Sequence, residues 1–175
     1  MKAHTKTITF TALLIALGVV LPHALHSLGP TAGAMWLPIH LVALIAGISF
    51  GVMPGLAVGA LTPLLRFAIM GMPPAPLVWF MMLEVAAYGA VGGLCAKQIK
   101  LPRWAALASA QIVGRGVRML SLFVASQLLG IEGLPAAMYV LTGELLLGLP
   151  GVALQWAVIP PTTRLLDKHS AKSRR

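Results

Sequence analysis

The chain reads as a series of long apolar runs, each broken by glycine, proline or a short polar cluster. A membrane-spanning helix needs about 20 predominantly apolar residues. Six runs approach that length, near 7–22, 35–52, 54–70, 77–96, 104–129 and 136–161. Pro54 and a turn without polar residues separate the second run from the third, so these two also read as one broken helix. That alternative gives five spans and strands Arg164, Lys168, Lys172, Arg174 and Arg175 on the outer face. Six spans keep them inside, where basic residues concentrate. The expected fold class is therefore an all-α integral membrane protein, a six-transmembrane-helix bundle with cytoplasmic N- and C-termini. Residues 1–175 form a single membrane domain, with 162–175 as a basic cytoplasmic tail.

Composition supports lipid as the solvent. The 175 residues are 58% hydrophobic and only 10% charged, whereas soluble domains carry about a quarter charged residues. Too little polar surface exists to cover a globule in water. The first run is expected to be a retained helix rather than a cleaved signal, because it ends in "LPHALHSLGP" and further spans follow. A single cysteine, Cys95, excludes a disulfide within the chain, and the absence of Asn excludes N-glycosylation acceptors.

The net charge of +9 raises nucleic acid as a partner, but its placement argues against that. Lys2 and Lys6 precede the first span, Lys97, Lys100 and Arg103 share one connection, and five more close the chain. Ten of the thirteen Lys and Arg thus fall on one side, and the connections 23–34, 71–76 and 130–135 hold none. This is the positive-inside pattern of a cell-membrane protein, not a phosphate-binding stripe. Gly47, Gly51, Gly55 and Gly59 recur every four residues, and Gly89 and Gly93 repeat the spacing. Such ladders let helices approach closely in lipid. They imply packing rather than ligand contact. No internal repeat suggests an inverted-repeat transporter.

Five charges fall inside the spans: Arg66, Glu84, Arg115, Arg118 and Glu144. Each is costly in a bilayer unless paired or facing water, so together they mark a candidate site. Counting along the spans puts all but Arg115 in the outer half of the membrane. Gln111, Arg115, Arg118 and Leu122 share one helical face, as do Glu144, Gly148, Gly151 and Gln155, and Glu84 stacks with Tyr88. These faces are expected to point inward. Arg–Glu pairing alone accounts for a braced bundle, but three arginines against two glutamates leave one cation over.

His40, in "WLPIHL", reads as a pocket hydrogen-bonder, and His23 with His26 lacks the further ligand that a metal site needs. Trp36 and Trp79 read equally as pocket residues or as interfacial aromatics, as do Trp104 and Tyr139. The chain holds no P-loop, no zinc-protease motif and no nucleophile motif. An intramembrane enzyme using Glu84 or Glu144 as a base is disfavoured for lack of a catalytic cluster. A stand-alone secondary transporter or facilitator, with the Arg/Glu pairs as proton-coupling groups, remains an alternative.

The stretch "WLPIHLVALIAGISFGVMPGLAVGALTPLLRFAIMGMPPAP", followed by "MMLEVAAYGAVGGL", resembles the substrate-binding (S) components of energy-coupling factor transporters. The likeness covers about residues 8–160. It implies a six-helix subunit that captures a vitamin or related micronutrient at the outer face. Pantothenate, a cobalamin-precursor base and a queuosine precursor are the types suggested. It further implies a transmembrane coupling subunit and two cytoplasmic ATPase subunits, which use ATP, while this chain binds no cofactor or metal. Ala12 and Ala16 in "TALLIA" match the family's paired alanines for packing against the coupling subunit. The resemblance makes Trp36, His40, Arg66, Trp79, Glu84, Tyr88, Arg115, Arg118 and Glu144 the expected substrate-binding set. Arg118 is expected at the ligand, with Arg115, one turn deeper, bracing the bundle and Arg66 near the lid.

Overall fold

The computed structural model describes residues 2–27, 29, 31–128, 130–131, 134 and 143–172. Among them every regular element is a helix: α1 (Lys2–His26), α2 (Ala32–Trp36), α3 (Pro38–Phe50), α4 (Val52–Met70), α5 (Leu77–Gly93), α6 (Arg103–Phe123), the short α7 (Leu145–Leu147) and α8 (Leu149–Lys172). A π-helical turn, Leu94–Gln98, extends α5, and a second, Val124–Leu128, extends α6.

Five stretches are long and apolar enough to cross a membrane: His4–His26, Ala32–Phe50, Val52–Met70, Leu77–Gln98 and Arg103–Leu128. The protein is a multi-pass, all-helical membrane protein. The expected sixth span, 136–161, lies partly outside the described residues. Its described part is α7 and the start of α8, and α8 continues to Lys172. The first helix is longer than the expected 7–22 and runs through Pro22 to His26. The second expected span, 35–52, is interrupted at Leu37, whose φ of 49° turns the chain between α2 and α3.

The second and third spans are separate helices packed on one another. Gly51, with φ of +102°, turns the chain between them in a conformation that side chains rarely tolerate. The helix α3 is apolar on all sides and takes the centre, with eleven of its thirteen residues buried. Gly47 of α3, Gly55 of α4 and Gly89 of α5 meet backbone to backbone, and a Cβ on any of them would collide with main-chain atoms. Gly59 lies equally close to the backbone of Val85 and Ala86. The glycine ladder is therefore the seam of a three-helix contact, where dispersion between close backbones provides the attraction.

The basic connections gather at one end. Phe10 of α1 stacks on Phe50 at 5.5 Å, and Lys97 lies over Gly51 beside it. Lys97 Nζ and Arg103 Nη2 both donate to Asp167 of α8, at 2.8 and 2.6 Å. The start of α1, the α3–α4 turn, the α5–α6 turn and the later part of α8 thus share an end. Toward the opposite end the helices part around a cavity.

Candidate functional site

Three segments deliver charge to one place. Glu84 projects from the middle of α5 and is 1% exposed. Arg115 and Arg118 lie one turn apart on α6, and Glu144 immediately precedes α7. Arg118 joins both carboxylates, its Nη1 at 3.3 Å from Glu84 Oε2 and its Nη2 at 2.7 Å from Glu144 Oε1. Arg115 Nη1 lies 3.2 Å from Glu84 Oε1 and 3.7 Å from Glu144 Oε2. Two guanidinium groups and two carboxylates form a closed quartet. Its mutual attraction offsets the desolvation that would expel any single member from this interior.

His40 of α3 approaches the same carboxylate, with Nε2 3.4 Å from Glu84 Oε1. Tyr88 stands edge-on to the His40 ring, centroids 4.9 Å apart, and is itself packed on Gly114 of α6. A Cβ at residue 114 would overlap the tyrosine ring. The small residue on α6 therefore sets the position of Tyr88, which in turn holds His40.

The quartet forms one wall of a cavity of about 420 Å³. Pocket volumes for small ligands run from about 300 to 1,000 Å³. His26, His40, Arg66, Glu84, Arg115, Arg118 and Glu144 supply its polar groups. Pro22, Leu37, Ile39, Met72, Pro73, Met81 and Leu147 supply an apolar lining. Among the described residues no group of three His, Cys, Asp or Glu is placed to hold a metal ion.

Six of the residues singled out from the sequence, His40, Arg66, Glu84, Arg115, Arg118 and Glu144, border this one cavity. Tyr88 sits behind it, buried. Trp36 and Trp79 do not border it: Trp79 is 50% exposed, and Trp36 backs onto Gly151 through its carbonyl. The expected phase of α6 is the one buried, since Arg118 and Leu122 face inward and Gln111 bonds Gln155 at 2.8 Å. Arg118 and Arg115 engage the same two carboxylates.

Pro22, His26, Met81 and Leu147 were not among the expected site residues. Met81 precedes Glu84 by three positions and Leu147 follows Glu144 by three, so helical phase alone carries that signal. His26 follows Pro22 by four, but the pair reads as a phase only once α1 is known to continue past Pro22.

On α1, Ala12 and Ala16 are both exposed, on a face with Leu13, Leu17 and Val20. This face is left uncovered by the bundle, at a distance from the cavity.

Apolar helices packed around an ion-paired cavity define a membrane protein with a pocket of small-molecule size. The chain belongs to the family of ECF transporter substrate-specific components, which it matches over residues 6–162. It is thus a substrate-binding subunit of a transporter. No curated protein and no solved structure gives a match.

Proposed function

We propose that this chain captures a vitamin or related micronutrient in the cavity beside the Arg118–Glu84–Glu144 network and passes it on within an ATP-driven importer. The observation that carries the reading is the cavity itself, about 420 Å³, lined by charged groups and by apolar side chains. Polar groups fix the orientation of a small ligand while apolar walls remove its surface from water. The partners in this reading are a transmembrane coupling subunit and two cytoplasmic ATPase subunits. The exposed Ala12–Ala16 face of α1 offers the coupling subunit a surface of small side chains. Residues 136–161 complete a sixth span, and the basic end of the bundle faces the cytoplasm of a prokaryotic cell by the positive-inside rule. The cavity then opens toward the outer face, where capture occurs.

The test is to purify the protein in detergent and identify the small molecule that accompanies it by mass spectrometry, with uptake assayed in cells. A stoichiometric micronutrient, together with uptake that stops when ATP hydrolysis is blocked, is the expected result. Uptake that persists without ATP hydrolysis assigns the protein to the stand-alone facilitators instead.

A further inference from the structure

The quartet is electrically balanced, because Arg115 and Arg118 answer Glu84 and Glu144. The cavity has one cation more. Arg66 projects from α4 into the same space, is 5% exposed, and makes no ion pair or hydrogen bond among the described residues. Its Nε is fully shielded without a partner, and so is Nη2 of Arg115. A guanidinium held this way in an apolar bundle has no counter-charge among the described residues, a cost that an arriving anion would relieve.

Resting on the capture reading above, we infer that the ligand carries a single carboxylate, which pairs with Arg66 while its uncharged body lies against Met81 and Leu147. The described groups lining the cavity sum to one positive charge, with three arginines against two glutamates and both histidines counted neutral. A monoanion brings that sum to zero. A phosphate monoester, near two negative charges at neutral pH, overshoots it and sets the second charge against Glu84 and Glu144. The planar fork of arginine matches the two oxygens of a carboxylate. The apolar wall sets the rest of the ligand, since a second charge or a polar body placed there would stay unpaired.

The experiment starts from the molecule eluted from wild-type protein by denaturation, identified by negative-ion mass spectrometry. It is then titrated onto ligand-stripped protein before and after methyl esterification, which removes the charge and keeps the body. The expected result is an acid whose ester binds at least about 30-fold more weakly. Arg66→Gln should lose the same factor for the acid and nothing further for the ester, with Arg66→Lys intermediate. Melting temperatures establish that the variants fold. Should Arg66→Gln fail to fold, the ester titration on wild-type protein decides alone.

A neutral or cationic eluted molecule, or an ester that binds as tightly as the acid, overturns the inference and leaves capture standing. Elution of no small molecule at all counts against capture, and the inference falls with it. Glu132, one of the chain's four acidic residues, lies outside the described residues. If Arg66→Gln and Glu132→Gln lower the melting temperature alike and leave acid binding untouched, Arg66 belongs to that carboxylate and the inference is overturned.

Discussion

Arg118 Nη2 and Glu144 Oε1 are 2.7 Å apart, the shortest contact of the charged quartet. The contact ties α6 to the segment that opens the last part of the bundle, and the same guanidinium reaches Glu84 with its other end. Arg118 therefore holds two carboxylates at once.

Removing that guanidinium should cost stability as well as ligand affinity. Arg118→Ala leaves Glu84, which is 1% exposed, with one arginine fewer, and breaking a buried pair from one side costs about 3–5 kcal/mol. Arg118→Lys should recover part of the loss, because an ammonium cannot hold two carboxylates with a planar fork. Thermal unfolding of the detergent-solubilised variants checks this. A melting temperature for Arg118→Ala equal to wild type would remove the quartet from the stabilising core.

Gly89→Ala should destabilise the bundle, while Gly116→Ala should not. The added methyl at residue 89 meets the backbone of Gly55, which has no rotamer to yield, whereas at residue 116 it meets open space. Overpacking of this kind costs about 1–3 kcal/mol. A helical Gly→Ala change in open space is worth about 0.4–1 kcal/mol in the other direction. The comparison needs only two melting curves against wild type.

How much of this was legible beforehand differs by residue. Arg115, Arg118, Glu84 and Glu144 were legible as a group, because charge is costly in lipid and helical phase places each on an inward face. Their pairing was not legible, since it depends on the rotation and depth of each helix after packing. That Arg66 is the cation left over is visible only once the quartet closes. Trp79, which lies off the cavity, carried no signal either way, because an indole suits a pocket and a membrane interface equally well. Leu37 carried one sign of a chain break, since a residue before proline is biased away from helix, but its left-handed φ is imposed by tertiary context.

Ala12→Trp and Ala16→Trp should leave ligand binding and melting temperature near wild type and abolish uptake. Both alanines are exposed and away from the cavity, so a bulky side chain disturbs only what docks on α1. Parallel ligand titration and uptake assays separate the two effects. Equal losses in both would show that the α1 face serves the cavity rather than a partner.

Asp167→Ala should cost less than about 1 kcal/mol, and the difference should shrink further at high salt. The carboxylate accepts from Lys97 and Arg103 in ideal range, but all three side chains are about one-third exposed. Melting temperatures at low and high salt measure it. A large, salt-independent loss would mean that the junction is shielded by a layer beyond this chain.

Ser27→Cys should label with an impermeant thiol reagent applied from outside the cell, and Ser173→Cys only after the membrane is opened. The native Cys95 is buried and gives little background. Outside labelling of Ser173→Cys would reverse the assigned orientation.

The meeting of Gly47, Gly55 and Gly89 also bears on how the cavity adapts to its contents. Side chains absorb small displacements by changing rotamer, but main chain pressed against main chain has no such slack. The helices α3, α4 and α5 are thus an anvil, and they fix the places of His40, Arg66 and Glu84. Accommodation of a larger or smaller guest would fall to Leu37, Pro73 and Leu147, which border the cavity from a chain break, a connection and a helix of three residues outside that seam. A fixed seat for three polar groups and a more yielding border thus meet around one cavity.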